Sequence, residues 1–129
     1  MQFTFRENHI DGALNFGKIT ISEDEKHGFR PYELLVSSIA GCSGLVFKQI
    51  LTKQRTELEE LIIDARVIRN EKEANRVEKI ILTFKVKGKN LNEKKLQRNL
   101  EISSKHCAMV RSVEDSIEIE ENITIFPVK

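Results

Sequence analysis

The segment from Leu34 to Phe47 carries no charged side chain, although 32% of the residues of the chain are charged. Pro31 suits the first turn of a helix, because its ring fixes φ and it has no N–H to leave unpaired. From there to about Lys53 only Gly41 and Gly44 disfavour a helix, and the apolar side chains spread round more than one face. A helix of this kind is usually buried. The sequence therefore predicts a long, buried central helix.

The segments on both sides of this helix alternate between apolar and polar residues, as β-strands do. The first 21 residues alternate weakly around the turn signal Asp11-Gly12, which predicts an N-terminal hairpin. Asn92 is placed to cap a second helix. Later strands are predicted at 61–67, 80–86 and 117–126. The order ββ, α, ββ, α, β indicates an α+β fold with a mostly antiparallel sheet, and the length indicates one domain, 1–129.

The charge balance argues against several kinds of partner. With 21 basic and 20 acidic side chains, the chain has no net field that would attract nucleic acid or a membrane surface. The N-terminal residues 1–11 carry charges where a signal peptide has its apolar core, and the uncharged run Leu34–Phe47 is short for a bilayer span. We therefore expect a soluble, cytoplasmic protein that binds neither nucleic acid nor membrane.

Two cysteines, Cys42 and Cys107, are the candidates for chemistry. A free cysteine commonly packs as a small hydrophobe, so Cys42 alone could be an inert core residue. If Cys107 continues the apolar stripe of the second helix, both thiols project toward the same core, which permits a thiol pair. A reactive thiol also needs a group that lowers its pKa. The cations considered for this role are Arg6, Arg30, Lys105, His106 and Arg111.

The motif "PYELLVSSIAGC", taken together with the later "KHC", resembles the OsmC/Ohr family of osmotically inducible and organic hydroperoxide resistance proteins. The resemblance covers essentially the whole chain, because the family has the same order of strands and helices. It implies antiparallel sheets, a long buried central helix, a second helix and an intertwined homodimer with thiol sites between subunits. The small residues Ser37, Gly41 and Gly44 would then allow two central helices to pack closely.

The peroxidase branches of that family imply a role for each cysteine. Cys42 would attack an organic hydroperoxide, and Cys107 would resolve the sulfenic acid as a disulfide, which a dithiol reductant reopens without any metal or organic cofactor. The family also uses an arginine to hold the thiolate, and an acid to orient that arginine. Glu33 is the candidate acid, and the arginine is Arg6 by its place in the N-terminal strands or Arg30 by its proximity to Pro31.

Two other readings remain open from the sequence. The chain could be a noncatalytic dimer that binds a small apolar ligand, with Cys42 and Cys107 lining the pocket. It could also be a redox sensor in which disulfide formation alters a partner surface. Paired cysteines favour the enzyme, whereas the position of Glu33, two residues after the proline rather than one, favours the ligand binder.

Overall fold

The computed structural model describes residues 1–126 and contains six strands and three helices. In chain order these are β1 (Gln2–Phe5), β2 (Ile10–Ala13), β3 (Lys18–Ile21), α1 (Pro31–Lys53), β4 (Glu60–Asn70), β5 (Arg76–Lys87), α2 (Glu93–His106), α3 (Ala108–Val113) and β6 (Glu118–Phe126). The α+β class predicted from the sequence is confirmed. The chain divides into two compact units, Met1–Ser37 and a second that begins at Ser38, so the boundary lies within α1. The single domain 1–129 stays a prediction.

The first unit contains an antiparallel sheet in the order β1-β2-β3. The prediction of a hairpin turning at Asp11-Gly12 is wrong, because both residues lie inside β2 and the turns fall on either side of that strand. Gly12 pairs with Phe3 on one side and with Ile19 on the other. A Cβ at Gly12 would lie 3.0 Å from side-chain atoms of both neighbours. The glycine therefore marks close side-chain approach in a strand, and the turn interpretation missed a third strand.

The second unit contains a sheet in the order β4-β5-β6. The β4–β5 hairpin is antiparallel as predicted, but β6 runs parallel to β5. A parallel neighbour requires a crossover, and α2 with α3 supplies it. The inward side chains of β5 are fully buried, and the Phe84 ring meets Phe47 of α1 edge to face, with centroids 5.2 Å apart. This contact fixes α1 against the sheet.

Helix α1 confirms the predicted central helix but buries only one of its faces in the single chain. Ile39, Ser43, Phe47 and Leu51 recur every four residues and are fully buried. The opposite side is open and carries no charge as far as Phe47, and Leu45 is 70% exposed there; the exposed Lys48 follows on the same side. By length and composition alone α1 could also cross a membrane, a test that the core helices of globular proteins pass as well. An apolar face that the chain itself leaves open needs another cover.

Helix α2 begins as predicted, since the Asn92 side chain accepts a hydrogen bond from the Lys95 N–H at 3.0 Å. It buries the stripe Leu96, Leu100 and Ser103. The expectation that Cys107 continues this helix is wrong, because α2 ends at His106 and Cys107 has an extended backbone with φ −85° and ψ 111°. Cys107 thus lies at the junction between α2 and α3, and this position determines the surroundings of its thiol.

Candidate active site

The structure brings Cys42 of α1 and Cys107 of the α2–α3 junction into side-chain hydrogen-bond contact. Both are free thiols, Cys42 partly exposed and Cys107 fully buried. The two residues lie far apart in sequence, so only the packing of α1 against the α2–α3 segment creates the contact. Two adjacent thiols of unequal exposure can form an intramolecular disulfide with little rearrangement.

The break between α2 and α3 provides the polar surroundings of the thiols. Cys107 is the N-cap of α3, and its Sγ accepts a hydrogen bond from the Val110 N–H at 3.5 Å. The next two backbone N–H groups, of Ala108 and Met109, point at Cys42. The first turn of a helix has no intrahelical partners for its N–H groups, so they are available to a sulfur atom.

The two thiols have opposite pKa shifts. Hydrogen bonds from the Met109 N–H and the Cys107 thiol lower the pKa of Cys42, with a smaller contribution from Ala108, and these effects exceed the opposing effect of burial. Burial, and then the hydrogen bond to Cys42, raise the pKa of Cys107 to about 11. Cys42 therefore ionises first. Cys107 keeps its proton and donates a hydrogen bond to the Cys42 sulfur. This division suits a nucleophile and a resolving thiol.

Three of the cations predicted from the sequence lie in the second unit, but they are not what lowers the pKa of Cys42. The Arg111 guanidinium forms an ion pair with Glu114 at 2.9 Å and also donates to the Lys105 carbonyl at 3.4 Å. The groups that lower the pKa of Cys42 are backbone N–H groups and a thiol, and none of Lys105, His106 and Arg111 is among them. A cation beside the Cys42 thiolate therefore stays a prediction, for which Arg6 and Arg30 are the candidates outside this segment.

In the first unit, Glu33 pairs with Arg30 rather than with Arg6. Arg30 Nε donates to Glu33 Oε1 at 3.0 Å, and this contact raises the pKa of the guanidinium. Arg30 also donates to the Tyr32 hydroxyl at 2.8 Å and lies 4.9 Å from the centre of that ring. Arg6 pairs instead with Asp11 at 3.0 Å. Among the described residues the acid and arginine pair at the start of α1 is thus Glu33 and Arg30.

Sequence analysis missed Glu121, a half-buried acid on the core face of β6. It lies opposite the fully buried Leu82 on the β5–β6 ladder. Its Oε2 accepts a hydrogen bond from the Ser43 hydroxyl at 3.1 Å, and burial raises its pKa. The signal was present in the sequence, because the alternation of Ile119 and Ile123 places residue 121 between them on the apolar face.

Residues 1–126 contain no group of three or more His, Cys, Asp or Glu side chains that could hold a metal ion.

Comparison with known proteins supports one family. A family profile described as "OsmC-like protein" matches residues 23–122. The crystal structure of a hypothetical protein from Aquifex aeolicus is similar, with a TM-score of 0.88, 26% identity and coverage of 99% of this chain and 96% of that one. No curated protein matches.

Two further solved structures carry family names. An OsmC-like protein from Mycoplasma pneumoniae has a TM-score of 0.77 and 16% identity over 94% of this chain and 89% of that one. An organic hydroperoxide resistance protein from Elizabethkingia anophelis, with thiocyanate bound, has a TM-score of 0.76 and 14% identity over 97% and 94%. At these identities the likeness shows a shared fold.

Proposed function

Because the chain belongs to the OsmC-like protein family, we propose that it is a thiol peroxidase that reduces organic hydroperoxides through Cys42 and Cys107. The observation that carries this proposal is the contact between two thiols with opposite pKa shifts. The substrate class comes from relatives of the same fold that are named organic hydroperoxide resistance proteins, including that of Elizabethkingia anophelis.

The proposed reaction uses each thiol once. The Cys42 thiolate attacks one oxygen of the hydroperoxide and the O–O bond breaks, so that Cys42 becomes a sulfenic acid and the alkoxide takes a proton to leave as an alcohol. The Cys107 sulfur then attacks the Cys42 sulfur. An S–S bond forms, and the sulfenic oxygen leaves as water with the proton from Cys107. The two thiols have then lost two electrons in forming the disulfide, and the hydroperoxide has gained them.

A dithiol reductant completes the proposed cycle by reducing the disulfide and becoming a disulfide itself. No metal or organic cofactor takes part in this scheme. A cytoplasmic location is part of the proposal, because a reducing compartment supplies such reductants and keeps the two cysteines as thiols between turnovers.

We assign the thiolate-orienting arginine of the family to Arg30, in preference to Arg6. The support is the Glu33–Arg30 pair, since the acid that the family uses to orient its arginine here holds Arg30. The additional hydrogen bond to Tyr32 fixes the plane of the guanidinium. An arginine held at two points loses less conformational entropy when it binds an anionic group.

The proposed assembly is a homodimer, and the surfaces left open by one chain support it. The uncharged face of α1 with Gly41 and Leu45 is open in the single chain. The first unit also exposes four aromatic side chains: Phe3, Phe5, Phe16 and Phe29. A second copy of the chain that lies against α1 can cover its open face. The small residues Ser37 and Gly41 would let the two central helices approach closely, as the family resemblance implies. The same expectation for Gly44 is wrong, because Gly44 is buried and a Cβ there would lie 2.7 Å from the Ile63 side chain of β4.

The stoichiometry of oxidation tests the mechanism. Wild type treated with one equivalent of cumene hydroperoxide is expected to lose both free thiols and two mass units, because one disulfide forms. Cys107→Ser should instead gain one oxygen on Cys42, trappable by dimedone, and then over-oxidise with further peroxide. Mass spectrometry and a thiol titration measure both outcomes. Retention of both thiols by wild type after the peroxide is consumed would contradict the mechanism.

A further inference from the structure

Glu121 is a titratable side chain that the proposed reaction does not use, in a place where strands normally carry apolar residues. It faces the core from β6, between Ile119 and Ile123 along the strand and opposite Leu82 across the ladder. Its Oε1 atom is buried and has no hydrogen-bond partner among residues 1–126. Burying a carboxyl in this way costs stability, so its retention indicates a role other than packing.

The Glu121 carboxyl connects the two segments that carry the thiols. It accepts a hydrogen bond from Ser43, which directly follows Cys42 on α1. The Ser104 side chain, in the last turn of α2, lies on the other side of the carboxyl and partly offsets the effect of burial on its pKa. The backbone carbonyl of Ser104 in turn accepts the Cys107 N–H at 3.5 Å. One side chain thus links the residue beside the first cysteine to the residue that fixes the backbone of the second.

We propose that Glu121 is a positioning residue, which holds the Cys42 and Cys107 thiols against each other by bridging Ser43 and Ser104. The bond to Ser43 sets the rotation of α1 about its axis and hence the direction of Cys42. The contact with Ser104 sets the end of α2, where Cys107 and the N–H groups beyond it begin. The inference rests on the proposed function only in treating this thiol pair as the reacting centre.

Helices α1 and α2 are also joined by a second pair of side chains, which lies far from the thiols. Gln54 and Asn99 exchange two side-chain hydrogen bonds, of 3.0 and 2.8 Å, past the C-terminal end of α1. That pair anchors α1 to α2 three turns away from Cys42, so it leaves the rotation of α1 beside the thiols to the Glu121 contacts. Loss of Glu121 should therefore disturb the thiol contact without detaching the helices.

The test compares Glu121→Leu with Glu121→Gln, and uses Glu120→Gln as a control on the exposed face of the same strand. The first measurement is the rate of disulfide formation with diamide, which takes two electrons and two protons from the thiols and becomes a hydrazine. The second is the pH profile of Cys42 alkylation by iodoacetamide, followed by peptide mass spectrometry. Neither reagent involves a peroxide.

Glu121→Leu is expected to slow the diamide reaction by about tenfold or more, because thiols that are misplaced by a fraction of an ångström meet less often. It should also move the alkylation midpoint of Cys42 to higher pH, since the Met109 N–H and the Cys107 thiol no longer lie against it. Glu121→Gln keeps a hydrogen-bonding group of the same size and should stay within about twofold of wild type, as should Glu120→Gln. The melting temperature of Glu121→Leu should not fall, because an unpaired buried oxygen is removed.

Wild-type rates and midpoint in Glu121→Leu would overturn the inference, and so would a Glu121→Gln as slow as Glu121→Leu. If Glu121→Leu does not fold, the double variant Ser43→Ala, Ser104→Ala removes the same two contacts and should show the same slowing; wild-type behaviour there would also overturn it. A protein that is inert to hydroperoxide but shows this dependence on Glu121 would refute the peroxidase proposal alone.

Discussion

Cys42→Ser is expected to consume cumene hydroperoxide at least about a thousandfold more slowly than wild type, because it removes the only nucleophile that the mechanism provides for the first step. Two N–H groups and a thiol lower the pKa of Cys42, so its thiolate forms more readily than that of an ordinary cysteine, whereas a serine hydroxyl is not ionised at neutral pH. Stopped-flow measurement of peroxide loss under single-turnover conditions reads this step directly.

Cys107→Ser is the matched control, because it leaves the nucleophile in place and alters its neighbour. A serine hydroxyl can still donate a hydrogen bond to Cys42, so the first turnover should remain within about tenfold of wild type. Equal rates in wild type and Cys42→Ser would show that Cys42 is not the attacking residue.

Gly41→Leu is expected to convert a dimer into a monomer. A side chain at Gly41 meets nothing within 4 Å in the single chain, so a larger residue there is accommodated unless another copy lies against it. Overpacking costs about 1–3 kcal/mol per site, and a two-fold interface carries the change twice, which raises the dimer dissociation constant by roughly 30-fold or more. Light scattering at micromolar concentration measures the mass.

Lys72→Leu serves as the control, because it introduces the same side chain in the exposed turn between β4 and β5, outside α1 and outside the aromatic surface of the first unit. It should leave the mass unchanged. An unaltered mass and stability of Gly41→Leu would remove the interface role from Gly41, and a monomeric wild type would contradict the proposed assembly itself.

The parts of the fold that sequence predicts well are those with local causes. The uncharged run after Pro31 gives α1, the alternation on either side of residues 70–75 gives the β4–β5 hairpin, and the Asn92 side chain caps α2. The pairing of strands in a sheet, by contrast, depends on residues that are far apart in the chain. The parallel pairing of β6 depends on where α2 and α3 lead the chain, and Gly12 was read as a turn because its close neighbours, Phe3 and Ile19, are visible only in three dimensions.

The candidate site, too, has some features that the sequence shows and others that only the tertiary structure shows. The two cysteines stand out by residue type, whereas the proposed preference for Arg30 over Arg6 depends on the Glu33 contact, which the sequence does not show. The source of the lowered pKa of Cys42 could not be read from the sequence, because it depends on the helix break at Cys107. Glu121 belongs to no motif that would single it out in the sequence, although strand periodicity places its side chain inward.

Turnover with a dithiol tests the central claim most directly. Wild type at low micromolar concentration, with dithiothreitol and excess cumene hydroperoxide, is expected to consume many equivalents of peroxide per chain, each with one dithiol, above the background of dithiothreitol alone. Consumption that stops at one equivalent per chain, or that does not exceed the background, would contradict a peroxidase; a single equivalent would instead describe a protein that is oxidised once, as a redox sensor is.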